Sequence, residues 1–137
     1  MSSAPLETWL SAYLRTHGGM AGTVHLRDGQ ELVMGAAVNI PPQVVQVTQR
    51  IPYGKGMAGL AFARDRPVQT CNLQEDASGD VRPGARAVNA HAAVALPVHD
   101  TAGQVRAVVG IAFMHERELG EDELARLAAT AEALPQA

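Results

Sequence analysis

A single cysteine, Cys71, is all the thiol this chain of 137 residues carries. That excludes an internal disulfide framework and CxxC-type zinc chemistry. Aromatic residues make up only 4% of the chain, so alanine and valine must fill much of any core. Basic blocks are missing and the formal charge is −3, which gives nucleic-acid binding no support. No apolar run approaches the ~20 residues of a membrane span. Met1-Ser2-Ser3-Ala4-Pro5 has neither the charged start nor the apolar centre of a secretory signal. Linkers, repeats and low-complexity tracts are also absent. The expectation is one domain over 1–137, working in the cytoplasm without nucleic acid or membrane.

What is present is organised around Ile51–Pro67, IPYGKGMAGLAFARDRP. Three glycines, Gly54, Gly56 and Gly59, lead into a helix-forming run, Leu60-Ala61-Phe62-Ala63. Pro67 ends that run and pushes its predecessor out of the helical region, so an extended segment is expected from Val68 to Leu73. Such glycines also suit a phosphate loop, but that needs a preceding buried parallel strand, and Gln49-Arg50-Ile51-Pro52-Tyr53 does not read as one. A structural turn is the better reading.

Upstream, Leu6, Trp9, Leu10, Tyr13 and Leu14 recur at helical spacing over 5–17, with Gly18-Gly19 as the stop. A hairpin follows. Val24 and Leu26 alternate with polar neighbours, Asp28-Gly29 is a turn signal, and Leu32, Met34, Ala36 and Val38 alternate through the second strand. Pairing of like faces favours Leu26 opposite Leu32 and Val24 opposite Met34. His25 then points to solvent or an edge. A short helix is expected within 39–49, with Asn39 near its start and Pro41-Pro42 in its first turn.

Residues 74–90 form a long polar segment, and long loops in compact domains are often functional. Asn72, Arg82, Arg86, Asn89 and His91, in or beside it, are the expected ligand contacts, the arginines favouring carboxylate or phosphate groups. Two strands then close the sheet. In Ala92–Val98, Pro97 marks an edge, a bulge or the strand end. In Gln104–Met114, Val105, Ala107, Val109, Ile111 and Phe113 share one face while the other is also apolar, as in a central strand. A last helix starts at Glu121. Its acidic first turn suits the dipole, Leu119 and Leu124 form a hydrophobic staple, and Leu127, Ala128, Ala131 and Leu134 continue the stripe.

The histidines show no metal-ligand spacing. His91 and His99 share a face of an extended strand but stand about 27 Å apart. No metal or resident cofactor is expected, although His91 is the candidate were a haem held by one histidine.

Helix, two strands, short helix, glycine turn, strand, loop, two strands and helix describe an α+β layer. Gly56-Met57-Ala58-Gly59 with Leu60-Ala61-Phe62, then Arg66-Pro67-Val68, Asn72-Leu73 and Asp76, resemble the GAF domain family. Ala93-Val94-Ala95-Leu96-Pro97-Val98, Val109-Gly110-Ile111-Ala112 and Leu119–Leu127 are similar to its later motifs. The resemblance implies a central antiparallel sheet of five or six strands, helices on one face and a loop-covered pocket on the other. Members also tend to pair through their terminal helices, so a homodimer is expected.

The family's chemistries can be tested on these residues. The paired motif of cyclic-nucleotide binders is missing after Phe113. Bilin attachment needs a cysteine in the loop or near the N-terminus, and Cys71 falls in a strand before the loop. Gly54–Gly59 is similar to the GKGVCG segment of free methionine-R-sulfoxide reductases, but Ala58 replaces its cysteine and the loop cysteines are absent. A lone thiol cannot discharge a sulfenic acid as an internal disulfide. The expected function is therefore non-catalytic small-molecule sensing or protein interaction in signal transduction, with output through a partner protein. A redox enzyme related to those reductases and a tetrapyrrole-binding sensor are the alternatives.

Overall fold

In the computed structural model the described residues are 4–70, 91–115 and 117–136. Six strands form one antiparallel sheet in the order β3-β2-β1-β6-β5-β4. In chain order the elements are α1 (Ala4–His17), β1 (Ala21–Asp28), β2 (Glu31–Val38), α2 (Pro42–Val47) and β3 (Arg50–Pro52). There follow α3 (Gly56–Arg64), β4 (Val68–Thr70), β5 (Ala92–His99), β6 (Val105–Phe113) and α4 (Glu121–Ala131). The α+β architecture and the six-strand count match expectation.

The two long helices cover one face. Leu6, Leu10, Tyr13 and Leu14 of α1 and Leu127 and Ala131 of α4 pack on Val24, Val94, Leu96, Val109 and Ile111. Burying each large apolar side chain contributes roughly 1.5–3 kcal/mol, so this layer carries much of the stability. Tyr13 joins the helices, its hydroxyl donating to the Leu127 carbonyl at 2.8 Å. Burial raises the Tyr13 pKa well above the usual phenol range. The staple forms at the start of α4, with Leu119 buried and Leu124 packed on the same core.

The opposite face carries α2 and α3. Ala61 and Phe62 of α3 pack with Leu32, Ile51, Ala95 and Val108. The glycines before α3 have separate tasks. Gly54 and Gly56 adopt positive φ of 78° and 65°, which other residues reach only at a cost. Gly59 passes so close to β3 that a Cβ there would lie 2.6 Å from the Pro52 carbonyl oxygen. The stretch is a turn into a helix, as expected.

A two-residue turn at Gly29-Gln30 and two bulges correct the expected registers and faces. The first hairpin turns at Gly29-Gln30, with Asp28 opposite Glu31, Leu26 opposite Val33 and Val24 opposite Ala36. Gly35 is the extra residue between Ala36 and Met34, the latter facing His25. One inserted residue moves all that follows to the other face. Leu32 therefore packs with α3, whereas Ala36 packs with α1 and α4. On β6, Arg106 is the extra residue between Ala107, opposite Val98, and Val105, opposite His99. Val105 consequently leaves the Val109 face and joins Phe62. Pro97 sits where expected, beyond the end of the β4 pairing at Ala95 and just before this bulge.

Asn39 does not cap α2. Its φ is 58° and its side-chain amide donates to the Met20 carbonyl at 2.9 Å, while Pro41 precedes the helix without a side-chain cap. The stripe of α4 also stops short of Pro135. The helix ends at Ala131, and Leu134 reaches the core from the segment after it.

Candidate functional site

A cavity of about 380 Å³ lies between the sheet and the helix pair α2 and α3. Its floor follows from residue size. The cross-strand row Ala21, Ala112, Ala93 and the next row Thr23, Gly110, Ala95 put small groups on three central strands. A Cβ at Gly110 would come within 2.8 Å of Thr23 Oγ1, so glycine there leaves the threonine in place. The sides are apolar: Ile40, Val44 and Val47 at α2, Ile51 from β3, Met57 and Ala58 from the first turn of α3.

The polar groups of this wall are few. His25 is 2% exposed, which overturns its expected solvent or edge position. It shares the Thr23 face of β1, and α2 with Thr48 covers that face. The Nε2–H donates to the Thr48 carbonyl at 2.7 Å, an acceptor that fixes the proton on Nε2. Nδ1 is buried without a partner among the described residues. Burial holds the His25 pKa below its usual value, with the Thr48 bond opposing, so the ring is neutral. Thr48 in turn donates its hydroxyl to the Val44 carbonyl at 2.7 Å. Among the described residues, Lys55, exposed, is the charged side chain at the wall.

Of the residues the sequence singles out, Asn72, Arg82, Arg86 and Asn89 lie outside the described residues, as does Cys71. His91 stands half-buried immediately before β5, its backbone N–H donating to the Phe113 carbonyl at 3.0 Å. It is not among the residues lining the cavity. Sequence reasoning missed His25, Thr23 and Thr48. The available signal was the alternation of small residues, Ala21 and Thr23 on β1, Ala93 and Ala95 on β5, Gly110 and Ala112 on β6. Floors built of alanine and glycine leave room above them.

Among the described residues no three His, Cys, Asp or Glu side chains are grouped to hold a metal ion, and no helix is long and apolar enough to cross a membrane.

An antiparallel six-stranded sheet, backed by two long helices and carrying a cavity under two short ones, defines a GAF-type α+β module. The chain belongs to the GAF domain family, whose model matches residues 6–137. No curated protein matches it in sequence. Among solved structures it is similar to the free methionine-R-sulfoxide reductase of Neisseria meningitidis in complex with its substrate. That match has TM-score 0.75 at 20% identity, over 94% of this chain and 72% of the other. It is also similar to the GAF domain of a phosphoenolpyruvate-protein phosphotransferase from Coxiella burnetii, with TM-score 0.70 at 20% identity over 92% and 79%. A third is the GAF domain/HD domain protein from Geobacter sulfurreducens, with TM-score 0.69 at 12% identity over 93% and 87%. At such identities the likeness concerns the fold alone.

Proposed function

We propose that this domain is a non-catalytic sensor. A small molecule enters the cavity on the sheet, and the signal leaves through a partner protein in the cytoplasm. The observation that carries this reading is the cavity itself, on a face that apolar side chains could have filled. Transmission has a short path. Gly110 and Ala112 line the cavity, while Val109 and Ile111 beside them support α1 and α4. A ligand that binds one arrangement of β6 better shifts the helices through differential stability. Asn72, Arg82, Arg86, Asn89 and His91 remain the proposed contacts around the cavity mouth. Pairing of two copies through α1 and α4 would give the signal an outlet, and Trp9, Leu124 and Ala128 are only partly buried there.

Native mass spectrometry of freshly purified protein tests the reading. A retained small molecule, or one whose addition raises the melting temperature, supports it. A broad metabolite screen with no bound species and no thermal shift counts against it.

The shared fold with the Neisseria enzyme favours a second reading, a reductase of an oxidised small metabolite. Its chemistry is against it here. Ala58 stands where that subgroup has a cysteine, and Cys71 has no second thiol in the chain to resolve a sulfenic acid. Reduction of free methionine sulfoxide by the pure protein with an external thiol would establish the enzyme. A tetrapyrrole would declare itself as a visible absorption band.

A further inference from the structure

The sensor reading leaves the ligand's chemistry open, and the cavity wall narrows it. Resting on that reading, we infer that the part of the ligand seated in the cavity is a compact, uncharged, apolar body such as a small ring system, and not a nucleotide or other phosphate-bearing group.

Three observations carry this. Apart from Thr23, His25 and Thr48, the described floor and sides are alanine, glycine, valine, isoleucine and methionine, and the volume of about 380 Å³ falls at the small end of known ligand pockets. Among the described residues the donors of His25 and Thr48 are committed to the protein, and the other polar atoms of the wall are the Thr23 hydroxyl and the unpartnered Nδ1 of His25, which in a neutral ring is an acceptor and does not attract an anion. The Nε2–H of His25 is spent on the Thr48 carbonyl, and the Thr48 hydroxyl on Val44. His25 is also kept neutral by burial and brings no positive charge to the wall. An anion seated at this depth would lose its hydration with no built set of donors among the described residues to replace it, which costs several kcal/mol. Lys55 is exposed, so a polar end of the ligand belongs at the rim and the apolar body inside.

The test uses the whole chain and two probes, the neutral fluorophore N-phenyl-1-naphthylamine and AMP. Two variants fill the cavity from opposite sides, Ala93→Leu from the floor and Ala58→Leu from α3. The expected result is saturable one-to-one binding of the fluorophore, with chemical-shift changes at the Met57 methyl. Each variant that keeps a cooperative melt should weaken binding roughly tenfold, about 1.4 kcal/mol, and millimolar AMP should not displace the dye. Displacement by AMP, or AMP binding that the variants abolish, would overturn the ligand class while leaving the sensor reading intact. Fluorophore binding unaffected by both folded variants, with the Met57 methyl unmoved, places the dye elsewhere and also overturns the class. Failure of both probes to bind, with no thermal shift from any screened metabolite, removes the class and the sensor reading together.

Discussion

His99 Nδ1 lies 2.6 Å from Glu132 Oε2, tying the end of β5 to the end of α4. The backbone N–H of His99 donates to the other oxygen of the same carboxylate at 2.9 Å, so Glu132 grips the residue twice. On the far side, His99 Nε2 meets Asp65 Oδ1 at 2.5 Å, and Asp65 holds the left-handed position that ends α3. One imidazole thus joins the helix that frames the cavity to the terminal helix on the opposite face.

This clamp predicts a pH dependence. The bonds to Glu132 and then to Asp65 raise the His99 pKa above its usual value. A group with a raised folded pKa contributes its full stabilisation below the unfolded value, about 6.5, and loses it as pH climbs through the folded one. Urea denaturation should show wild type more stable than His99→Gln near about pH 6, with the gap closing as pH climbs through the raised folded value. The side chains are 30%, 52% and 41% exposed, so screening keeps the gap to about 1 kcal/mol or less. A gap that widens with rising pH would contradict the clamp.

His25 acts in the opposite sense. Its folded pKa is lowered by burial, so the unfolded chain takes up its proton first, and this contribution to stability falls as pH drops below about 6.5. Replacing His25 by Phe should abolish that acid-side loss. The variant keeps the ring volume, removes the unpartnered Nδ1 and frees the Thr48 carbonyl. His25→Ala should be the more damaging, by about 2–4 kcal/mol, since it also empties a buried ring site. Paired denaturation curves at two pH values separate the two effects.

Gly59→Ala should destabilise the domain by about 1–3 kcal/mol, because the added methyl meets the backbone of β3 rather than a side chain that can turn away. Gly120→Ala is the control, having open space at its Cβ and no positive φ. Equal melting temperatures for the two variants would argue against the close approach.

Pairing through α1 and α4 predicts a concentration-dependent mass in sedimentation equilibrium, shifted towards one chain by Trp9→Glu. Trp9 stacks on Tyr13 at a centroid distance of 5.0 Å while staying partly exposed, so an acidic residue there meets the partner before it meets the core. A mass of one chain at every concentration removes the dimer.

The helices, the glycine turn and the central strand were legible because each has a strong local signature. Leu6 to Leu14 keep helical period, Gly54 to Gly59 combine turn torsions with a close approach, and β6 is apolar on both faces. That last property also hid the bulge at Arg106. When both faces are apolar, alternation cannot reveal a one-residue insertion, and the sequence pattern places Val105 on the Val109 face although it packs with Phe62. Gly35 did the same to Leu32 on β2. The placement of His25 failed for a different reason. Its burial depends on α2 folding over β1 and offering the Thr48 carbonyl, a contact spanning 23 residues that neither segment announces. The cavity was expected from resemblance, but its floor could have been read from the small residues on three strands.

Among the described residues the sheet ends on one side in β3, a strand of three residues, and on the other in β4. Pro52 lies within β3 and lacks a backbone donor, and Pro67 stands immediately before β4. An added strand would therefore find only a brief, interrupted ladder at the β3 margin. Edge-to-edge growth at that margin, the usual hazard of an open antiparallel sheet, is blunted by shortness and proline together with the charged, exposed Arg50. Copies of this domain that meet in a crowded solution have little backbone to share along β3, which guards this margin against uncontrolled polymerisation and leaves association there to side-chain surfaces, where it can be reversed.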